Sequence, residues 1–293
     1  MRSPASMHRP QDLDHLLALL QEHGDTAKVV AGGTAFTILW KAGLLQAEHL
    51  VSATSLSGMS QVHAGDGTLS IGALARLRDV ERAQTTAAYS PVLASALRLV
   101  ANVRVRNAAT MGGNVSEADY TSDPPAVLSA LDAVVSIRDA DGGRELPLRE
   151  FLVDYFETAL RPEEFVTGVR IPVLGADWGG SYLKLLSRSA EDRTCIGVAA
   201  FIQRADDGTC AGVRVAVVGG NPVPLRLPVV ERQLVGQDPG GDSFAALAAE
   251  YAAAADPVDD NRGSASYRRR VMAPLIVRAL RRAARGTNDA VFA

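Results

Sequence analysis

The sequence predicts an α+β protein of two domains, and three observations lead to this prediction. The chain has 293 residues, of which 47% are hydrophobic, which is enough for one large domain or two medium domains, each with its own core. Helical and strand patterns alternate up to about Pro172. Beyond it, three strand patterns in succession precede a mostly helical C-terminal stretch. We therefore expect a domain boundary near residue 173, followed by a sheet with helices packed on one face.

The first elements follow from the spacing of apolar residues and from glycine. Residues 11–24, QDLDHLLALLQEHG, place leucines at helical spacing and end in glycine, which predicts a surface helix. KVVAGGTAFTILWKAG predicts a buried strand, a Gly-Gly turn and a helix that begins near Thr34. GTLSIGA at 67–73 alternates as a strand does, LRDVERA predicts a helix, and SPVLASALRLVAN predicts another that begins at Ser90.

The later elements carry proline signals and continuous apolar runs. PPAVLSALDAVVSIRD predicts a helix with proline at its start and then a strand, and EEFVTGVRIPV predicts a strand that ends at Pro172. SYLKLLSRS, GVAAFIQRA and GVRVAVVGG predict three strands joined by turns. Near the C-terminus we interpret Arg268, Arg269 and Arg270 as a helix face suited to packing or salt bridges, and as a solvated face rather than a substrate or partner site.

Composition narrows the classes of function. The formal net charge of -3 is scattered and gives no basic face for a nucleic acid. The chain has no apolar run of about eighteen residues and no secretory signal pattern, so we expect a soluble, cytoplasmic protein. Two cysteines are too few for the four thiolates of an iron-sulfur cluster, so any cluster belongs to another chain. The five histidines show no ligand spacing, so we expect no metal site.

A first glycine segment, AGGTA at 31–35, lies between the predicted strand and helix. Backbone N-H groups of such a turn, together with the N-terminal end of the helix, are suited to a diphosphate. The segment alone is a weak signal, because Gly-Gly pairs at five other places in the sequence are typical of plain turns. Neither GxGxxG nor a P-loop motif is present, so a nucleotide would not be held by either common scheme.

A second glycine segment, TMGGN at 110–114, lies in a polar stretch that is long for a mere connection. Thr110, Asn114 and Asp123 offer hydroxyl, amide and carboxylate groups to a ligand rich in ribityl hydroxyls and phosphate oxygens. The alternative interpretation makes Asn114 a turn residue and Asp123 a helix cap.

These two segments resemble the FAD-binding glycine motifs of a known family, the flavoprotein (medium) subunits of molybdenum hydroxylases such as carbon monoxide dehydrogenase and xanthine dehydrogenase. Five longer segments resemble that family in the same order and cover nearly the whole chain: VRVRNAATMGGN, SDPPAVLSALDA, FETALRPEEFVTGVRIP, YLKLLSRSAEDRTCIGVAA and SASYRRRVMAPLIVRALRRA. The resemblance implies a two-part FAD-binding domain of the vanillyl-alcohol-oxidase/PCMH type at 1–173, with subdomains of about 1–57 and 58–173. A C-terminal domain of the carbon monoxide dehydrogenase flavoprotein type, with a small antiparallel sheet and helices, is implied at 174–293.

The resemblance also implies the residues of the site. The two glycine segments would wrap the FAD diphosphate, Asp123 would meet the ribityl region, and Lys184 would lie near the flavin. Two residues depart from the family pattern: Ala35 replaces a residue that is often polar or acidic, and Met111 replaces a common isoleucine. For Lys184 the alternative is an ordinary strand lysine that faces solvent. The implied cofactor-binding residues are Ala31, Gly32, Gly33, Thr34, Ala35, Thr110, Met111, Gly112, Gly113, Asn114, Asp123 and Lys184.

The function implied by the resemblance is that of an FAD-dependent oxidoreductase subunit. Its partners would be a molybdenum-cofactor large subunit and a [2Fe-2S] small subunit, in a dimer of heterotrimers. The chain would take electrons from the iron-sulfur subunit and pass them to an external acceptor, a relay that requires no catalytic acid or base in this chain. Two alternatives stay open: a self-contained flavin oxidoreductase without such partners, and a flavin-free structural subunit. The substrate and the final acceptor, whether NAD, oxygen or a quinone, are not determined.

Overall fold

The first elements of the computed structural model, which describes residues 5–293, form a small parallel sheet covered by a helix. These elements are β1 (Ser6–His8), α1 (Leu13–His23), β2 (Ala27–Val30), α2 (Thr34–Ala42) and β3 (His49–Ser52). The strand order is β1-β3-β2. Asp12 caps α1 by accepting the His15 N-H at 2.8 Å, and Gly24 ends the helix at a φ of 49°, as the leucine pattern predicts. The sequence did not predict β1 or β3, which are only three and four residues long.

The middle of the chain builds an antiparallel sheet of five strands flanked by short helices. The strand order is β4-β5-β10-β6-β7, and β8 pairs with β9 in a separate hairpin. Ser90 and Pro91 begin α5 and Pro172 ends β10, as predicted. These elements are β4 (Val62–Gly65), β5 (Thr68–Gly72), α3 (Leu77–Arg82), α4 (Gln84–Tyr89), α5 (Pro91–Arg98), α6 (Val103–Arg106), α7 (Met111–Glu117), α8 (Asp123–Ala130), β6 (Val134–Arg138), β7 (Gly143–Pro147), α9 (Leu148–Phe151), β8 (Leu152–Asp154), β9 (Glu157–Thr158) and β10 (Phe165–Pro172).

The C-terminal part consists of a four-stranded sheet and three helices. The elements are β11 (Trp178–Leu185), β12 (Ile196–Arg204), β13 (Cys210–Val218), α10 (Pro228–Arg232), α11 (Gly241–Ala254), α12 (Ala265–Ala284) and β14 (Asn288–Phe292). The predicted antiparallel arrangement holds for β11 to β13, whereas β14 adds a parallel strand beside β11 that the sequence pattern did not predict. Over the described residues, no helix combines the length and the apolar character needed to cross a membrane.

Both faces of the C-terminal sheet are buried, so the expectation of helices on one face was incomplete. Val198, Ala200 and Ile202 of β12 pack into a core shared with α11 and α12. Ala199 and Phe201 point the other way, into the central core that contains α5 and α8. The successive apolar residues of β12 are typical of a strand covered on both faces. The division of the chain at residue 173 stays a prediction.

A buried ionic network joins the C-terminal helices to the segment before α8. The guanidinium of Arg268 is fully buried and donates to Asp260 Oδ1 at 2.6 Å, while the Tyr120 hydroxyl donates to Asp260 Oδ2 at 2.6 Å. Burial raises the pKa of Asp260, but hydrogen bonds from Tyr120 and the Arg262 N-H and the charge of Arg268 outweigh it and lower the pKa to about 2. The interpretation as a face suited to packing or salt bridges is therefore confirmed for Arg268, whereas a solvated position is wrong for this residue.

Candidate functional site

A large cavity lies where the two glycine segments meet. Its volume is about 850 Å³, within the range of small-molecule and cofactor sites. Residues 31–35 line one side and Thr110 with residues 112–114 line another, and Asp123 and Lys184 also belong to the wall. The fold thus brings together all the predicted site residues except Met111.

The first segment forms an uncapped helix N-terminus at the cavity. Gly33 is the N-cap residue of α2 at a φ of 66°, a left-handed conformation that favours glycine, and no side chain caps the helix. The first bond of the helical ladder runs from the Thr37 N-H to the Gly33 carbonyl at 3.0 Å. The N-H groups of Thr34, Ala35 and Phe36 therefore have no acceptor within the helix. Together with the positive end of the helix, these donors are suited to an anion.

Gly32 allows the two glycine segments to approach each other closely. A Cβ atom at this position would lie 2.7 Å from the Ala108 carbonyl carbon and 2.8 Å from the Ala109 Cα. Both atoms belong to the backbone that leads into Thr110, so they cannot rotate away as a side-chain end does. Gly32 therefore sets the distance between the two walls of the cavity.

The second segment differs from the first because its backbone donors are already used. The Met111 N-H donates to the Ala75 carbonyl at 2.9 Å, and the Gly112 N-H donates to the Ala73 carbonyl at 2.8 Å. The Met111 side chain is fully buried in the central core and does not line the cavity. The structure therefore gives Met111 a packing position, which the resemblance to glycine motifs did not indicate.

The second segment presents side chains, rather than free backbone N-H groups, to the cavity. Thr110 Oγ1 accepts the Gly113 N-H at 3.1 Å and so caps α7. Asn114 lies inside α7, and its Nδ2 donates to Ser122 Oγ at 2.9 Å. The alternative interpretation of Asn114 as a turn residue is therefore wrong.

A buried ion pair forms another part of the cavity wall. Lys184 Nζ donates to Asp123 Oδ2 at 2.8 Å and to the Leu99 carbonyl at 2.7 Å. Lys184 is only 1% exposed, so the alternative of a solvent-facing strand lysine is wrong. Asp123 is the first residue of α8 and Ser122 is the N-cap, so the capping interpretation of Asp123 is also wrong.

Two residues that the sequence analysis missed hold Asp123 in place. Its Oδ1 accepts from the Tyr182 hydroxyl at 2.6 Å and from Thr194 Oγ1 at 2.5 Å. Burial raises the pKa of Tyr182 well above its ordinary value, and the charge of Asp123 adds to the increase, so the phenol remains a donor. Tyr182 stands two residues before Lys184 in one strand, hence on the same face, a signal that the sequence contained. Thr194 precedes β12 without any such signal.

Charged groups of both signs line the cavity near the end of α7. The Arg193 guanidinium lies 3.1 Å from Asp119 Oδ2. Burial raises the pKa of Glu117, the neighbouring Asp119 raises it further, and Arg193 opposes the increase. Because acidic groups stand beside the basic ones here, the amide-lined turn before α2 is the part of the cavity best suited to a diphosphate.

Comparison with known proteins gives matches over nearly the whole chain. Residues 3–174 match the family described as FAD binding domain in molybdopterin dehydrogenase, and residues 181–283 match the CO dehydrogenase flavoprotein C-terminal domain. The chain is 31% identical to the 6-hydroxypseudooxynicotine dehydrogenase complex subunit alpha of Paenarthrobacter nicotinovorans, covering 95% of each protein. It is 28% identical to the carbon monoxide dehydrogenase medium chain of Hydrogenophaga pseudoflava, covering 93% of this chain and 94% of that protein.

A solved structure is similar over the same length. The carbon monoxide dehydrogenase from Hydrogenophaga pseudoflava that lacks the Mo-pyranopterin moiety of its cofactor gives a TM-score of 0.91 at 29% identity. The match covers 97% of this chain and 98% of that chain.

These matches first define a class, that of FAD-binding oxidoreductase subunits with a separate flavoprotein C-terminal domain. Within it, the chain belongs to the family of FAD-binding medium subunits of molybdenum hydroxylases, which confirms the resemblance, and FAD is its cofactor. The cavity fits this cofactor, because an uncapped helix N-terminus faces it on one side and a buried lysine and carboxylate on another. Its relatives are subunits of multi-subunit complexes.

Proposed function

We propose that this chain is the electron-transfer subunit of a molybdenum hydroxylase, which takes electrons from an iron-sulfur partner and passes them to an external acceptor. One observation carries the proposal: two glycine segments almost 80 residues apart converge with a buried ion pair on one cavity of cofactor size. FAD, when bound, supplies the one-electron and hydride chemistry. The chain's own contribution is to bind and orient the cofactor.

The proposed contacts divide between the walls of the cavity. Residues 31–35 hold the diphosphate through the free N-H groups at the start of α2, with Gly32 and Gly33 giving the backbone its close approach. Thr110 and residues 112–114 form the opposing wall. Because Ala35 has no polar side chain, any polar contact at that position comes from its backbone.

The buried pair is proposed to contact the ribityl and flavin parts of the cofactor. An ammonium group has three hydrogens, and two of those of Lys184 are used by Asp123 and the Leu99 carbonyl, which leaves one donor for the cofactor. Asp123 accepts three hydrogen bonds within the chain and keeps about one further acceptor site. The pair is thus a fixed donor and a fixed acceptor side by side at the cavity.

The cysteine count supports an external source of electrons. The chain has two cysteines, and both are free and buried, so it cannot supply the four thiolates that hold a cluster. We propose a [2Fe-2S] small subunit and a molybdenum-cofactor large subunit as partners, in a dimer of heterotrimers. The cytoplasmic location stays a prediction.

The test is to isolate the chain without a tag from its native source, record its visible spectrum, and identify co-purifying chains and metals. We expect flavin absorbance together with a molybdenum chain and an iron-sulfur chain. Flavin in an isolated chain that is itself catalytically active would instead indicate a self-contained oxidoreductase. A colourless chain that takes up no added FAD would indicate a structural subunit.

A variant pair tests the binding site separately from the partners. Gly33→Val places a β-branched residue at a φ of 66° next to the free N-H groups, so the complex should lose its FAD. Gly142→Val is the control, because a Cβ there meets nothing within 4 Å and lies far along the chain in the β6-β7 turn. Full FAD occupancy in the Gly33→Val complex would overturn the assignment of the first segment.

A further inference from the structure

Three histidines from three different elements lie together beside the first sheet. His8 is the last residue of β1, His23 is the last residue of α1, and His49 is the first residue of β3. One ligand nitrogen of each lies within 4.8 Å of the other two. His8 Nε2 and His49 Nδ1 are 3.0 Å apart. None of the three lines the cavity, so this cluster is separate from the proposed FAD site.

The backbone brings the three histidines together. His8 and His49 are fixed by the parallel pairing of β1 with β3, and β2 pairs with the other edge of β3 starting at His49. The rings of His23 and His49 are stacked with centroids 3.7 Å apart, and the His8 ring lies 5.1 Å from the first and 5.2 Å from the second. All three side chains are partly buried, which leaves a path for a small ion.

We propose that His8, His23 and His49 form a binding site for a divalent transition-metal ion of the zinc class, with water as the fourth ligand. Zn-N bonds of about 2.0 to 2.1 Å in a tetrahedral site place ligand nitrogens roughly 3.3 Å apart. His8 and His49 are already near this spacing, and the nitrogen of His23 lies within 4.8 Å of theirs. Because an imidazole binds a metal in its own plane, the His23 ring must turn out of its stack on His49 to become the third ligand. Imidazole is a ligand that suits Zn²⁺, Cu²⁺ and Ni²⁺.

The sequence-based expectation of no metal site rested on ligand spacing along the chain. Positions 8, 23 and 49 fit no such motif, because the ligands are brought together by strand pairing and by the end of α1. The ion joins β1, α1 and β3. β2, which pairs with β3, leads directly into residues 31–35, so the ion stabilises the support of the first glycine segment.

The test is a calorimetric titration of the full, FAD-loaded chain with Zn²⁺, after removal of metal and without a histidine tag. Variants His8→Gln, His23→Gln and His49→Asn remove one ligand each. His15→Gln and His63→Gln are matched controls, because both side chains are exposed and lie outside the cluster. The flavin spectrum and circular dichroism of each variant check that it is folded.

We expect one equivalent of Zn²⁺ in the wild-type chain and in both controls. Each cluster variant should bind at least about tenfold more weakly, since loss of a group that merely supports a ligand already costs that much. If the wild-type chain and the cluster variants bind Zn²⁺ equally, the proposal is overturned and the cluster is a metal-free imidazole stack. The proposal is also overturned if the control variants lose as much Zn²⁺ affinity as the cluster variants do.

A second measurement needs no variant. Co²⁺ bound by three imidazoles and water in a tetrahedral site gives intense visible bands at longer wavelengths than flavin absorption. Such bands at one equivalent of Co²⁺ are expected for the wild-type chain, and their loss on addition of Zn²⁺ would show that both ions share the site. If Co²⁺ gives no bands other than the weak ones of the six-coordinate ion, the proposal is overturned.

Discussion

The substitution Gly32→Ala tests directly whether FAD binding requires the close approach of the two glycine segments. The added Cβ would lie 2.7 Å from the Ala108 carbonyl carbon and 2.8 Å from the Ala109 Cα. The Ala108 carbonyl oxygen is closer still, and all three are backbone atoms, so the two glycine segments must move apart by more than about 1 Å to restore an ordinary contact. That movement displaces the free N-H groups before α2 from the opposing wall.

The size of the effect follows from the cost of overpacking. Inserting a methyl group into a close-packed site typically costs about 1 to 3 kcal/mol. If this strain is relieved when FAD dissociates, the affinity for FAD falls by about 5-fold to about 150-fold, since roughly 1.4 kcal/mol corresponds to a factor of ten. We therefore expect Gly32→Ala to fold but to lose FAD on dilution.

The assay is a titration of the FAD-depleted chain with FAD, followed by flavin fluorescence. Gly142→Ala is the matched control, because a methyl group there meets nothing within 4 Å and the position belongs to another Gly-Gly pair. Its affinity should equal that of the wild-type chain. If Gly32→Ala is folded and binds FAD within about twofold of the wild-type affinity, the proposed closeness of the two segments is not required for binding.

Three further predictions concern the buried ion pair, the ionic network and the core. Lys184→Met leaves the Asp123 carboxylate buried without its counter-charge, so the free energy of unfolding in urea should fall by about 3 to 5 kcal/mol. The double variant Lys184→Met, Asp123→Asn should lose less, because no charge is then buried alone. The folded-state pKa of Asp260 is about 2, below its ordinary value of 3.8, so this carboxylate stabilises the fold above pH 3.8 and the contribution disappears as the pH falls toward 2. The urea midpoints of the wild-type chain and Asp260→Asn should therefore converge across that window. Met111→Leu nearly conserves the volume of a core side chain, so it should cost less than about 1.5 kcal/mol and leave the affinity for FAD unchanged.

Each of these predictions has a result that would contradict it. If Lys184→Met lowers the free energy of unfolding by less than about 1 kcal/mol, the Lys184–Asp123 pair contributes no more than an exposed ion pair does. A constant difference between the urea midpoints of Asp260→Asn and the wild-type chain from pH 3.8 to 2 would mean that Asp260 does not titrate in this window. Weaker FAD binding by a stable Met111→Leu chain would place Met111 at the cofactor.

Elements with a strong local signal were predicted correctly from the sequence. The capped leucine helix, the strand-turn-helix around Gly33 and the proline-ended strand β10 each carry their pattern within a few residues. The strands β1, β3 and β14 were missed because each has five residues or fewer and exists through pairing with a distant strand. The short strands β4, β7, β8 and β9, of two to five residues, were missed as well. Their stability comes from partners that a local pattern does not contain.

The sequence by itself determined the family and the cofactor, and it marked two glycine segments as the proposed binding segments, because close backbone approach to a diphosphate requires glycine at fixed places in a short motif. The tertiary structure alone decided how the other side chains are used. Packing placed Met111 in the core and Lys184 against Asp123, and strand pairing brought His8 to His49. The physical reason is that burial and ion pairing depend on neighbours far along the chain, whereas a glycine turn depends on its own backbone angles.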